Sequence, residues 1–263
     1  MCQNEIAANG WTKTPANAGL IFGNRLVCVE IAALSMDDLT FPFGDVVVEK
    51  TMEYAKKVLH PETFNHSMRV YFYGMQSVDL GEHNRRILTR LQGMAITKQH
   101  FPQLASQLDP VTWALTCLLH DLGTAEEFLT ATRMSFDIYG GIKALQALKD
   151  FGATTDQAEA AAEAIIRHED MGVDGEITYM GQLIQLATTF DNTGFHPHVA
   201  GFKTLIHRST VAEINKAYPR LKWCTFFSNA IRMEETLKPW CHSTHLVNFD
   251  KEIETNTLMT EWE

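Results

Sequence analysis

An all-α fold is predicted by three observations on the chain of 263 residues. Apolar residues recur at helical spacing along most of it, start and stop residues bracket those runs, and alternating strand patterns are scarce. No Pro-, Gly- or Ser-rich linker interrupts the chain, and a chain of this length buries one sizeable core, so a single domain is expected.

The elements follow in order. Asp45 caps a helix over 46–59, and Pro61 breaks the chain before a second helix over 64–78 with His66 in its first turn. A third helix is predicted over 82–97, ending before Pro102. Asp109 as cap and Pro110 at the first helical position open the next, which turns Trp113, Leu115, Leu118 and Leu119 inward. It ends on the adjacent pair His120 and Asp121, with Gly123 just beyond. Ser135 begins a run that stops near Gly152, and Thr155 or Asp156 caps an alanine-rich helix over 158–167 with His168 at its far end. The segment 177–192 reads as amphipathic, with Leu183, Ile184, Leu186 and Ala187 apolar, and delivers Asp191 just before Gly194. A loop over 196–207, a short helix over 209–218 stopped by Pro219, and a final core helix over 221–235 complete the pattern. The polar stretch 249–263 is expected to pack on the surface or on another subunit. The division expected is an extension over 1–44, the helical domain over 45–245 and a tail over 246–263.

Charge narrows the partners. Lys and Arg number 22 against 32 Asp and Glu, a formal net charge of −10, which disfavours nucleic acid and anionic membranes because both need a positive face. Residues 1–14 hold no basic region followed by an apolar run, and Asn24, Arg25 and Glu30 break the apolar stretch 19–34, so neither a signal peptide nor a membrane span is expected. The five cysteines, Cys2, Cys28, Cys117, Cys224 and Cys241, are odd in number and scattered, which suits reduced thiols in a cytoplasmic protein. Cys241, His242 and His245 have the residue types and spacing of metal ligands but no second pair to complete a site.

The pair His120 and Asp121 carries the chemistry. At the polar end of an apolar helix the two have no packing use for each other, yet together they offer a borderline nitrogen and a hard oxygen to a divalent cation. In chain order His66, the doublet and Asp191 each sit at the start or end of a separate predicted helix. This order resembles that of the HD-domain metallohydrolases, in which a histidine, a His-Asp doublet and a later aspartate converge inside a helical bundle.

The chain further resembles the fungal cyanamide hydratases. The stretches that carry the resemblance are NHSMRV at 65–70, LTCLLHDLG at 115–123, TRMSFDIYGG at 132–141, EAIIRHED at 163–170, LATTFDN at 186–192 and KPWCH at 238–242. The likeness runs from about Asn9 to the last residues and weakens over 21–34 and 195–206. It implies an HD-type bundle, hydration of cyanamide to urea, a homo-oligomer, and metal ligation by His66, His120, Asp121 and Asp191. Zinc is the implied metal, although iron and manganese accept the same nitrogen and oxygen donors.

These residues suit that reaction. Two imidazoles and two carboxylates hold a divalent cation while leaving room for water, whose pKa then falls to about 7. Attack on the nitrile carbon leaves charge on the terminal nitrogen, which needs a proton, and the isourea formed tautomerises to urea. His168 is the candidate donor or relay, with a buried structural histidine as the plain alternative. Thr188 and Thr189 are placed to orient water or the substrate amine, or else bond their own helix. Asn65 and Arg69 flank His66 and either support it from outside or make a cap and an ion pair.

Three rival readings remain. A nucleotide phosphohydrolase would use Arg69, Arg133 and Arg167 to meet phosphate. A di-iron oxygenase would need two histidines between the doublet and the last aspartate, where the chain has only His168, with His196 and His198 falling later. A catalytically silent binding domain would have no reason to keep an intact ligand set.

Overall fold

The computed structural model describes residues 3–22, 33–74, 104, 106–172 and 174–263. The predicted helix over 82–97 lies outside the described residues, as do Cys2 and Cys28. The core is built from α1 (Val46–Val58), α2 (Pro61–Gly74), α3 (Pro110–Leu119), α4 (Phe136–Phe151), α5 (Thr155–Ile166), α6 (Tyr179–Asn192), α7 (Arg208–Ala217), α8 (Trp223–Leu237) and the short α9 (Phe249–Glu254). The fold is all-α. A small antiparallel pair of strands, β1 (Lys13–Pro15) and β2 (Glu176–Thr178), sets Thr14 opposite Ile177 and ties the N-terminal segment to the start of α6.

Helix starts follow their capping chemistry. The Asp45 carboxylate accepts from the amides of Val47 and Val48 at 2.9 and 3.0 Å, and that of Asp109 from Val111 at 3.1 Å with Pro110 at the first position. Ser135 precedes α4, and Gly152 ends it at φ 100°, a conformation that favours glycine.

Several boundaries differ from expectation. Pro61 is the first residue of α2 and not a break ahead of it, because a proline at that position gives up only an amide the helix leaves unpaired. His66 therefore lies in the second turn. Thr154, and neither Thr155 nor Asp156, caps α5. Its hydroxyl accepts from the Gln157 amide at 3.2 Å while Gln157 Oε1 accepts from the Thr154 amide at 3.2 Å. Asp156 is drawn away by Asn9 and Trp11, which donate to its carboxylate. Ile177 belongs to β2, and α6 has no polar face, since all its residues except Thr189 are buried. The segment 196–207 contains a 3₁₀ turn, Phe202–Thr204. Beyond α8 the chain forms α9, and Ile253 and Met259 are buried against the rest of the chain.

The layout brings helix ends together. α3, buried from Thr112 onward, packs against α1, α2 and α5, and α6 crosses α2 and α5. A second apolar cluster of Trp223, Phe227, Ile231, Leu129, Phe136 and Ile253 joins α8 and α9 to the start of α4. Between α3 and α4 the turn after Asp121 presses backbone against backbone. A Cβ on Gly123 would collide with the Phe136 carbonyl, and one on Gly140 would lie 2.8 Å from the Gly123 nitrogen. Gly123→Ala is therefore expected to cost about 3 kcal/mol, the upper end for overpacking, because backbone cannot move aside as a side chain does. Urea denaturation measures this, and a loss below about 1 kcal/mol would mean that the turn and α4 separate freely.

Candidate metal centre

His66 comes from the second turn of α2, and His120 and Asp121 from the end of α3. His120 still has helical dihedrals (φ −61°, ψ −35°), whereas Asp121 (φ −97°, ψ 17°) leaves the helix and so turns its carboxylate back toward the imidazoles. All three residues are buried.

The imidazoles are oriented from behind. His120 Nδ1 lies 2.8 Å from the Cys117 carbonyl and His66 Nδ1 lies 2.6 Å from Asp191 Oδ2. Both partners only accept, so each Nδ1 carries the hydrogen and Nε2 of each ring is left to face inward. Neither Nε2 has a hydrogen-bond partner, nor has either oxygen of Asp121. Asp121 Oδ2 lies 3.2 Å from His120 Nε2 and 3.6 Å from His66 Nε2. Buried polar atoms are nearly always paired, so four orphaned donor atoms facing one point call for an explanation. A divalent cation supplies one. Four ligands at the bond lengths of zinc stand about 3.3 Å apart at tetrahedral corners, close to the separations here.

His168 adds a third imidazole. Following α5, it donates from Nδ1 to the Ile165 carbonyl at 2.6 Å, the same three-residue anchorage that His120 uses, and its Nε2 stands 3.6 Å from Asp121 Oδ1. The His120 and His168 rings meet edge to face at 5.4 Å.

Asp191 occupies a different place from the other three expected ligands, behind His66. Its carboxylate receives His66 Nδ1, the Arg69 guanidinium (Nη2 to Oδ2, 2.8 Å) and Arg220 Nη1 on Oδ1. Arg220, fully buried and also bonded to Glu263, was not singled out in the sequence, where it is one arginine in a turn. Leu221 and Lys222 follow it at φ 56° and 63°, a left-handed conformation costly for both, between Arg220 and the Trp223 ring that stacks on His66 at 4.2 Å.

Charge states follow from these contacts. Burial pushes the His66 imidazole down to about 4, so it is neutral near pH 7. Burial would raise Asp121, but His120, His168 and His66 outweigh it and hold the carboxyl below its usual range. For Asp191, Arg220 and Arg69 likewise overcome burial. His168 is raised to about 9, Asp121 overcoming burial.

His168 opens onto a cavity of about 320 Å³ lined also by Thr188, Thr189, Asn192, Phe227 and Val247. The Thr188 hydroxyl donates to the Ile184 and Gln185 carbonyls at 2.9 and 3.1 Å, and that of Thr189 lies 3.9 Å from Met171 Sδ. Asn65 instead holds the Pro219 carbonyl at 2.8 Å. His242 pairs with Asp137 at 2.6 Å, and the potential ligand group around it adds Glu169, without Cys241 or His245. His196 and His198 line another depression beside Phe202.

No protein-family model matches the chain. Two proteins of Saccharomyces cerevisiae, cyanamide hydratase DDI2 and cyanamide hydratase DDI3, are each 38% identical to it over 208 residues, covering 78% of this chain and 80% of the relative.

His120→Ala and Asp121→Ala are each expected to lose most of their bound divalent metal on elemental analysis of purified protein, with helical circular dichroism retained. Full metal in either variant would remove that residue from the centre.

Proposed function

The chain belongs to the cyanamide hydratase family, and from that premise we propose that it hydrates cyanamide to urea at a divalent cation, zinc by ligand preference, as a carbon–oxygen lyase. The observation that carries the reading is the set of orphaned buried atoms, His66 Nε2, His120 Nε2 and both Asp121 oxygens, near a cavity whose surface is mostly apolar. A helix-borne histidine facing a His-Asp doublet also supports an HD-type bundle.

A cation held there supplies Lewis acidity and a water acidified to a pKa of about 7. His66, His120 and Asp121 would hold it. His168 stands outside that group, its Nδ1 anchored on the Ile165 carbonyl and its Nε2 held 3.6 Å from Asp121 at the cavity wall, which suits a protonated imidazole that gives or relays the proton. Asp191, with both oxygens committed to His66 and two arginines, serves better as the group that fixes the His66 tautomer. Thr188 has given its hydrogen to backbone carbonyls, so toward the cavity its oxygen can only accept, which suits an N–H of the substrate amine. In the reaction water oxygen bonds to the nitrile carbon, one carbon–nitrogen π bond opens onto nitrogen, and that nitrogen takes a proton. The isourea then becomes urea.

Two of the three arginines a phosphohydrolase would need are engaged elsewhere, and the third, Arg133, is exposed. Arg69 is buried on Asp191, and Arg167 binds Asp170 at 2.8 Å and reaches Glu163 at 3.6 Å. No described helix is long and apolar enough to cross a membrane.

Purified, metal-loaded protein is expected to form urea from cyanamide, to lose the activity on chelation, and to leave acetonitrile and nucleoside monophosphates unchanged. Metal-dependent phosphate release without urea would replace this reading with the phosphohydrolase.

His168→Ala is expected to keep its metal while kcat falls about 100-fold, the scale for losing a general acid or base. A variant that lost its metal together with its turnover would make His168 a ligand instead.

A further inference from the structure

We infer that the side-chain amide of Asn192 is the hydrogen-bond donor that holds the nitrile nitrogen of the substrate, an inference that rests on the proposed hydration of cyanamide. Asn192 ends α6 beside Asp191, is buried, and lines the same cavity as His168 and Thr188. Its Oδ1 accepts from Trp223 Nε1 at 2.8 Å. An indole N–H only donates, so this bond decides which end of the amide is oxygen and leaves the Nδ2 group, two N–H donors, as the other end. Among the described residues that Nδ2 has no hydrogen-bond partner.

The amide cannot readily turn over. Trp223 is fully buried and stacks on His66, with rings 4.2 Å apart and 12° from parallel, and on Phe227, 4.8 Å and 11°. The Asn192 backbone is pinned as well, its carbonyl accepting from Asn256 Nδ2 at 3.0 Å. One indole therefore steadies a proposed metal ligand on its face and aims a cavity donor from its edge.

Donor and acceptor then match the two ends of the substrate. Thr188 offers only an acceptor and Asn192 only a donor, while cyanamide has an amine that donates and a nitrile nitrogen that accepts. As the carbon–oxygen bond forms, the nitrile nitrogen gains charge, so a donor there binds the transition state more tightly than the ground state. Asn192 neither gains nor loses a proton, and the proton that nitrogen takes derives from the attacking water.

The test pairs turnover with a binding signal. Asn192→Asp keeps the acceptor for Trp223 and removes the donor. It is expected to lower kcat/KM for cyanamide about 100- to 1,000-fold, the scale for losing one such donor, with metal content unchanged and helical circular dichroism retained. In wild-type protein labelled with ¹⁵N-asparagine, the side-chain NH₂ signal absent from Asn192→Asp is expected to shift saturably with cyanamide. Near-normal turnover by the variant, or an unmoved signal at saturating cyanamide while wild type makes urea, overturns the assignment of Asn192 and leaves the hydratase reading standing. A shifted signal in wild type that makes no urea overturns the hydratase reading and leaves Asn192 as the donor. No shift and no urea overturns both.

Discussion

The buried carboxylate of Asp191 is the contact on which the rest of the site depends. One anion, sealed from water, is met by the His66 imidazole, by Arg69 and by Arg220, which brings α2, α6 and the turn before α8 to a single point. Arg220 then passes the link to Glu263, and Asn256 binds the Asp191 and Asn192 carbonyls, so the C-terminal segment is fastened to the same group. Removing one partner from such a cluster leaves charge buried without compensation, a loss of about 3–5 kcal/mol. The same carboxylate fixes the hydrogen of His66 on Nδ1 and frees Nε2 for the centre. Stability and ligand geometry thus share one interaction.

Local chemistry made much of this legible in the sequence. Asp45, the Asp109–Pro110 pair and Gly152 act within one helical turn, and each marks a boundary the structure has. The cap of α5 falls on Thr154 and not on Thr155 or Asp156 because a capping box depends on its second member, Gln157, while Asp156, the more conspicuous acid, bonds Asn9 and Trp11 from the far N-terminal segment. The apolar count of 177–192 suggested one buried face, yet Gln182 and Gln185 are buried too. Gln185 satisfies the Arg167 and Asp170 carbonyls, a role that composition does not announce.

The site divides the same way. His120 and Asp121 could be found because they are adjacent at a helix end, where polarity is out of place. Arg220, Trp223 and Asn192 could not, since their meaning arises from contacts such as Trp223 to Asn192, 31 residues apart. Asp191 had a signal, its place before the breaker Gly194, but nothing local says whether a carboxylate faces a cation or a histidine's back. Two arginines, one 122 residues away and the other 29, hold this carboxylate beside His66 Nδ1.

Orphaned groups at the centre are unfavourable for the empty fold. Each unpaired buried polar group costs on the order of 1–3 kcal/mol, and the left-handed residues Leu221 and Lys222 add strain beside them. A cation that binds only the folded chain offsets these costs, and it stabilises that state by an amount that grows with its concentration relative to Kd. The cavity adds a constraint on selectivity. At about 320 Å³ it has far more room than the proposed linear substrate of three heavy atoms would fill, and its outer wall includes the exposed Val247, so exclusion by size would not be the filter. Discrimination must come from polar groups held at fixed positions, which is where binding chemistry has its largest effect: a buried donor or acceptor left unpaired by the wrong substrate penalises it far more than a spare methylene does. A rigid frame around such groups is then part of the specificity, and the stacked His66, Trp223 and Phe227 rings supply it.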